Sequence, residues 1–149
     1  MTSRDSVNDF ISQHRLAVVG VSREGNKFGN LAYKELRSKG YHLFPIHPVA
    51  SSIEGDPAYP DFKSLPEKVD GVVIVVPPDQ TEKVVRAAAE AGIKRVWMQQ
   101  GAESESAIKF CRDHGIIEIH GECIMMFAGK AFFHKPHRWI WGLLGKLPK

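Results

Sequence analysis

The chain alternates short apolar runs with amphipathic segments, and three of those segments end at a glycine just before the next apolar run. These glycines are Gly40, Gly92 and Gly115. Glycine often ends a helix because it adopts the left-handed conformation of the C-terminal cap at little steric cost. A repeated strand–helix order favours a parallel sheet covered on both faces by crossover helices. We therefore predict an α/β fold with a Rossmann-like doubly wound parallel sheet, in three αβα layers and a single domain.

The predicted strands are short apolar runs, and the predicted helices lie between them. The strands cover Leu16–Val21, His42–His47, Gly71–Val76, Arg95–Gln99 and Ile116–His120, with a short edge strand near Ala58 and Tyr59. The helices cover Ser6–His14, Phe28–Lys39, Asp79 or Gln80 to Ala91, and Ser104–His114, with Asp79 as a candidate cap of the third. The chain accordingly divides into a helical lead (1–15), a sheet domain (16–128) and a basic aromatic tail (129–149).

Composition narrows the classes of function. A chain of 149 residues with 43% hydrophobic content can bury a core without disulfides or metal. The formal net charge is only +3, and the basic residues are scattered except near the C-terminus. This pattern disfavours nucleic acid and favours an anionic small molecule as partner. The N-terminus lacks the apolar core of a signal peptide, and Cys111 and Cys123 suit reduced thiols, so we expect a cytoplasmic protein.

The first predicted strand runs into a glycine-bearing loop with the spacing Gly20-x4-Gly25-x3-Gly29. Strand-to-helix turns of this kind hold phosphates, because backbone N–H groups at a helix N-terminus attract anions. The spacing differs from the G-x-G-x-x-G signature, and a tight turn without a ligand would use the same glycines. The candidate phosphate-binding residues are Gly20, Val21, Ser22, Arg23, Lys27 and the backbone amides of Phe28, Gly29 and Asn30.

In a doubly wound sheet the ligand lies beyond the carboxyl ends of the strands, where the strand order reverses. There the second strand ends at His47 rather than at the acidic residue that would bind the ribose of NAD. His47 could equally be a surface loop residue. Pro77 and Pro78 follow the third strand and could form a rigid apolar wall for a flat base, or simply begin a helix.

Other chemistries find weaker support. Gly20-x-Ser22 lacks the second glycine of a hydrolase nucleophile elbow, and no histidine or cysteine pair gives a convincing set of four metal ligands. Cys123 is interpreted as a packing residue. In the tail, the apolar side chains at Ile140, Leu143, Leu144 and Leu147 have helical spacing. This helix could dock on its own domain, on a dimer partner or on an anionic membrane surface.

Five stretches of the chain, taken in order, carry a resemblance. They are Val19–Ser22, Gly40–Pro48, Leu65–Asp70, Val76–Pro78 and Trp97–Gly101. Together they resemble the small single-domain CoA-binding proteins, relatives of the CoA-binding domain of the succinyl-CoA synthetase α subunit. The likeness covers about Leu16 to Ala128. It implies that 16–128 is a CoA-binding Rossmann-like domain.

The resemblance also implies which loops hold coenzyme A or acyl-CoA. In that family the first loop receives the phosphates, the loop after the second strand lies by the adenosine, and the loop after the fourth flanks the adenine or the pantetheine arm. Relatives often place a lysine shortly after the second proline of the second loop, where Val49 and Ala50 stand here. The implied residues are Gly20, Ser22, Arg23, Pro45, His47, Pro48, Val76, Pro77, Pro78, Gln100 and Gly101.

The expected function is that of a non-catalytic CoA carrier, sensor or regulatory module, since the ligases of this superfamily need a phosphorylated histidine from a further domain. One alternative is an NAD(P)-dependent oxidoreductase or a nucleotide sensor. For the oxidoreductase, only His47 and His120 are candidate acid–base residues. Another is a membrane-associated scaffold that acts through the tail. We also expect Gly20→Asp to block phosphate binding while the protein stays folded.

Overall fold

The computed structural model describes residues 4–22 and 28–126. In chain order its strands are β1 (Arg15–Val19), β2 (His42–Ile46), β3 (Ser52–Ile53), β4 (Asp56–Pro57), β5 (Gly71–Ile74), β6 (Arg95–Met98) and β7 (Ile117–Ile119). Its α-helices are α1 (Arg4–Ile11), α2 (Phe28–Ser38), α3 (Pro78–Glu90) and α4 (Glu105–Asp113). Two short 3₁₀ helices, Phe62–Ser64 and Ile124–Met126, complete the described elements.

Five strands form one parallel sheet in the order β2-β1-β5-β6-β7. The chain moves outward from β1 to β2, crosses back to β5 and then continues in the other direction. The reversal places the switch point of the sheet between β1 and β5. This arrangement confirms the predicted doubly wound fold.

Alternate residues of the strands lie on opposite faces of the sheet and pack into two separate cores. Leu16, Val18 and Trp97 pack on one face with residues of α1 and α2, such as Phe10 and Tyr33. On the other face, Ala17, Val72, Ile74 and Met98 pack with residues of α3 and α4. Because each strand is covered on both sides, its residues are almost all apolar. The sheet is therefore the middle of three αβα layers, as predicted.

The element bounds differ slightly from the predicted ones. Glycines follow α2, α3 and α4 closely, and Gly40, Gly92 and Gly115 have φ of 102°, 83° and 70°. Each has the positive φ predicted for a helix-ending glycine. β1 and β5 end two residues earlier than predicted. For β1 the reason is Gly20, whose φ of 112° is incompatible with a continuing strand.

The short edge strand predicted near Ala58 and Tyr59 is reduced to a single bridge at Tyr59. A hairpin precedes it, in which β3 and β4 pair antiparallel around Glu54 and Gly55. Both turn residues have positive φ, 51° and 83°, as a tight two-residue hairpin turn requires. Tyr59 makes one isolated parallel bridge to Ile46 of β2. The segment after the hairpin is thereby tied to the outer side of β2.

The described residues contain no helix long and apolar enough to cross a bilayer. The tail interpretation, a helix on a partner or on a membrane surface, concerns residues 129–149 and lies outside the described part of the chain. Arg23 and Lys27 of the predicted phosphate loop also lie outside it.

Candidate nucleotide-binding cleft

A cleft of about 950 Å³ opens at the carboxyl ends of β1, β2 and β5. Its location at the switch point is where ligands bind in doubly wound folds. Three predicted loops meet there, one after each of those strands. Seven of the predicted site residues line the cleft: Gly20, Val21, Ser22, His47, Pro48, Val76 and Pro77.

Gly20 and Gly29 allow the backbone of this region to pack closely. A Cβ on Gly20 would overlap the carbonyl group of Val75, and a Cβ on Gly29 would lie 2.6 Å from the carbonyl oxygen of Gly20. Neither position leaves room for a side chain. Gly20→Asp is therefore expected to destabilise the fold as well as to block phosphate binding, because the substitution strains the backbone before any ligand is involved.

Asn30 holds the loop through its side chain. Its Oδ1 accepts a hydrogen bond from the Ser22 amide at 3.1 Å, and its Nδ2 donates to the Ser22 carbonyl at 2.6 Å. Nδ2 also donates to the Glu54 carboxylate at 2.8 Å, which joins the loop to the hairpin. The sequence interpretation considered only the backbone amide of Asn30. The buried amide side chain positions Ser22 beside the cleft.

His47 has a structural role in its own turn. Its Nδ1 accepts hydrogen bonds from the amides of Val49 and Ala50, at 3.0 and 2.9 Å. A nitrogen that accepts from two amides carries no proton. Only Nε2 of this half-buried ring is then left for a ligand. The loop after β2 is thus shaped by a histidine where a nicotinamide-binding fold would place a carboxylate.

Pro77 and Pro78 have different roles. Pro77 is the N-cap residue of α3 and lines the cleft, whereas Pro78 begins the helix and does not line it. Asp79 was wrong as the predicted cap, because it lies within the first turn and the cap residue makes no side-chain hydrogen bond. Proline suits these positions because the first helical N–H groups lack intrahelical partners. Both proline residues thus form the entry to α3, and Pro77 also forms part of the cleft wall.

The remaining predicted residues do not line the cleft. Phe28, Gly29 and Asn30 form the first turn of α2, next to the described end of the loop at Ser22. Gly101 follows β6, and its amide donates to the Glu103 carboxylate at 3.0 Å. The residues described but absent from the lining are Phe28, Gly29, Asn30, Pro45, Pro78, Gln100 and Gly101.

Sequence reasoning missed two walls of the cleft. One is a face of α3 on which Gln80, Lys83, Val84 and Ala87 recur with helical spacing, beside the buried face of the same helix. This periodicity was present in the sequence and could have indicated a second, semi-exposed face. The other wall comes from the segment after the hairpin and gave no comparable signal. It consists of Pro60, Asp61 and Phe62.

Asp61 brings a negative charge to the cleft. Its Oδ1 accepts hydrogen bonds from the amide and the hydroxyl of Ser64, at 2.9 and 2.7 Å. These bonds cap the 3₁₀ helix and lower the pKa of the Asp61 carboxyl group below its ordinary value. Asp61 is consequently ionised at neutral pH. Its cap also positions Phe62, which is buried at the wall of the cleft.

The loop after β7 lies near the ends of the same strands. Gln99 is buried, accepts a hydrogen bond from the Ile124 amide at 3.0 Å, and donates to Sγ of Cys123 at 3.0 Å. Cys123 is half-buried and fits its interpretation as a packing residue. Within residues 4–22 and 28–126, no three histidine, cysteine, aspartate or glutamate side chains lie close enough together to hold a metal ion.

The sheet order and the cleft at its switch point define a Rossmann-like α/β domain. The family model described as "CoA binding domain" matches residues 14–128, so the chain belongs to the CoA-binding domain family.

Relatives include both small proteins and large ligases. The protein YneT of Bacillus subtilis is 26% identical over 110 residues, which are 74% of this chain and 82% of YneT. The acetate–CoA ligase [ADP-forming] I of Archaeoglobus fulgidus is 28% identical over 121 residues. That alignment covers 74% of this chain but 18% of the ligase, so the chain corresponds to under a fifth of the ligase's length.

Solved structures share the fold. A conserved hypothetical protein from Pyrococcus furiosus is 41% identical, with a TM-score of 0.71, and the match covers 75% of this chain and 97% of that one. A hypothetical protein from Pyrococcus horikoshii is 26% identical with a TM-score of 0.76, covering 83% of this chain and 87% of that one. Small chains similar in size to this one thus have the same architecture.

Proposed function

We propose that this chain binds coenzyme A or an acyl-CoA in the described cleft, and that it acts as a non-catalytic carrier, sensor or regulatory module. The observation that carries the proposal is the meeting of three loops in one cleft. Gly20 to Ser22, His47 with Pro48, and Val76 with Pro77 come from separate strands and line the same space. These are loops on which the likeness to CoA-binding proteins rests, and membership of the CoA-binding domain family supports the same ligand.

The physical properties of the cleft suit the two ends of such a ligand. The first turn of α2 presents N–H groups without intrahelical partners next to the Ser22 loop, an environment that favours phosphate. Ile46, Phe62 and Val84 provide apolar surface elsewhere in the cleft. Apolar walls with a few polar groups are typical of sites for flat organic ligands. We accordingly assign the pyrophosphate to the part of the cleft lined by Gly20 to Ser22, beside the start of α2, and the adenosine to the apolar part.

The matched portion of the ADP-forming ligases supports ligand binding rather than their reaction. This chain spans 18% of the Archaeoglobus fulgidus ligase and 19% of the Pyrococcus furiosus ligase α subunit. Within the described residues, the histidines near the cleft already have structural hydrogen bonds. His47 binds two amides, and His120 pairs with the buried carboxylate of Glu118 at 2.7 Å. We therefore propose no reaction for the chain.

Asp61 favours one alternative, a nicotinamide cofactor. A carboxylate in such a cleft can bind ribose hydroxyl groups, which is the contact absent from the end of β2. The short cap that Asp61 forms with Ser64 uses one of its two oxygens in the described hydrogen bonds. The two ligand classes are distinguished by titration rather than by this residue alone.

The test is isothermal titration with CoA, acetyl-CoA, NAD and NADP under one buffer and salt condition. Two substitutions on α3 form a matched pair. Ala87→Glu adds a carboxylate inside the cleft, and Ala91→Glu adds the same group outside it at the end of the helix. We expect saturable binding of the CoA species, lost in Ala87→Glu and retained in Ala91→Glu. Binding of only NAD or NADP would replace the proposal with the oxidoreductase alternative, and binding of none would refute it.

A further inference from the structure

The helix α3 presents two faces of different character. Thr81, Val85 and Ala88 are buried against the sheet. The adjacent face carries Gln80, Lys83, Val84 and Ala87 along one wall of the cleft. A helical rise of about 1.5 Å per residue places Lys83 roughly 7 to 8 Å from the start of α3 at Pro78. Lys83 therefore lies about midway along the stretch of α3 that lines the cleft, from Gln80 to Ala87.

Lys83 differs from the paired charges around it. Glu82 and Arg86 on the same helix form an ion pair at 2.6 Å, and Lys109 pairs with Asp113 on α4 at 2.7 Å. The Lys83 side chain is exposed and has neither a hydrogen bond nor an ion pair with any residue in the described part of the chain. An ammonium group without an internal partner is able to bind an anionic group of a ligand.

Two other parts of the described cleft offer an anion no positive charge. Asp61 lines the cleft with an ionised carboxylate, which repels phosphate. The loop after β2 places uncharged Val49 and Ala50 directly after Pro48. Among the described residues that line the cleft, which do not include 23–27, Lys83 is the cationic one. Of these described residues, Lys83 is therefore the one whose charge attracts a second phosphate group.

We propose that Lys83 contacts the 3′-phosphate of bound CoA and gives the site its preference for CoA over dephospho-CoA. This inference rests on the proposed function. CoA carries a pyrophosphate and a separate phosphate on its ribose, and dephospho-CoA lacks only the latter. Lys83 then supplies from α3 a charge that the loop after β2 does not carry.

The experiment compares CoA with dephospho-CoA by isothermal titration for three proteins: the unaltered chain, Lys83→Met and Lys94→Met. Lys94 is an exposed lysine just before β6, at the amino ends of the strands, whereas the cleft lies at their carboxyl ends. Lys94→Met therefore makes the same change of charge away from the cleft. We expect the unaltered chain and Lys94→Met to bind CoA about tenfold or more tightly than dephospho-CoA. Lys83→Met should bind both ligands with the lower affinity of dephospho-CoA.

The possible outcomes distinguish a failure of the role of Lys83 from a failure of CoA binding itself. If Lys83→Met keeps the full preference for CoA, the role of Lys83 is refuted and CoA binding stands. If Lys83→Met weakens both ligands equally, its contribution does not involve the 3′-phosphate and the inference is again refuted. If the unaltered chain binds neither ligand, the proposed function and the inference fail together.

Discussion

Asn30 brackets the backbone of Ser22, accepting from its amide at 3.1 Å and donating to its carbonyl at 2.6 Å. A residue at the start of α2 thereby mimics a β-ladder neighbour for the last described residue of the loop. Asn30 is only 1% exposed, so these hydrogen bonds are sheltered from water. The Asn30 side chain thus contributes to holding the backbone of Ser22 beside the cleft.

We expect Asn30→Ala to lower the free energy of unfolding by about 2 to 3 kcal/mol, because it removes the side-chain partners of two backbone groups of Ser22. The matched control is Asn8→Ala, at an exposed position on α1, which should change stability by about 0.5 kcal/mol or less. Urea unfolding monitored by circular dichroism measures both. Equal effects of the two substitutions would show that the hydrogen bonds between the Asn30 side chain and Ser22 do not stabilise the protein.

Gly20 and Gly40 are glycines for different reasons, one because of both its φ and its close packing and the other because of its φ alone. Both have positive φ, 112° and 102°, but only at Gly20 would a Cβ meet other atoms, those of Val75. Gly40→Ala should lower the free energy of unfolding by about 1 to 2 kcal/mol, because alanine is strained in this backbone conformation. Gly20→Ala should cost about 1 to 3 kcal/mol more, because overlap with the Val75 backbone is added. Urea midpoints compare the two, and equal losses would contradict the close approach at the cleft.

The parts of the structure that depend on local sequence were predictable. A glycine with positive φ follows each of α2, α3 and α4, and this signal lies within a few residues. The parallel sheet followed from the strand–helix alternation. The hairpin was missed because β3 and β4 have two residues each, too few to show alternation of apolar and polar residues. Its turn signal was the single glycine of Glu54-Gly55.

The cleft was predictable only where a strand leads directly into it. Ser22, His47 and Val76 follow strand ends, and the switch-point rule brings such positions together. Asp61 and Phe62 depend on how the segment after the hairpin crosses beside β2, held by the backbone bonds between Tyr59 and β2. That path is a tertiary property with no local periodicity. The same holds for the Asn30 side chain, whose partner is eight residues away.

Tyr33 joins α2 to the hairpin. Its hydroxyl donates to the Asp56 carboxylate at 2.5 Å, and Arg37 donates to the same oxygen at 2.8 Å. Burial and the neighbouring carboxylate raise the pKa of the Tyr33 hydroxyl, so it remains a donor at neutral pH. We expect Tyr33→Phe to lower the free energy of unfolding by about 1.5 to 3 kcal/mol.

The hairpin offers a local readout of that change. The Ala58 amide donates to the Ser51 carbonyl at 3.0 Å across the base of the hairpin, and its hydrogen exchange should accelerate in Tyr33→Phe. Tyr59→Phe is the matched control, since no hydrogen bond of the Tyr59 hydroxyl occurs among the described residues. Unchanged exchange at Ala58 would mean that the tyrosine does not hold the hairpin.

Cys111 makes stability depend on pH above the neutral range. Burial, with a smaller effect of the Glu118 charge, raises the pKa of its thiol to about 12 from an ordinary value of 9.0. Between these values the unfolded chain loses the thiol proton while the folded chain keeps it. The folded state then binds more protons, so the free energy of unfolding falls as pH rises. The thiol contribution is complete below about pH 9 and is lost on approach to pH 12.

Above pH 9, the free energy of unfolding of Cys111→Ala should fall less steeply with pH than that of the unaltered chain. We expect the two slopes to differ by up to about 1.4 kcal/mol per pH unit. Tyr33, whose pKa is also raised, contributes to the remaining slope in both proteins. Urea unfolding at intervals from pH 7 to 10.5 measures the slopes. Asn8→Ala, which removes no ionisable group, should retain the slope of the unaltered chain. If Cys111→Ala and the unaltered chain have the same slope, the Cys111 thiol ionises in the folded state as readily as in the unfolded one.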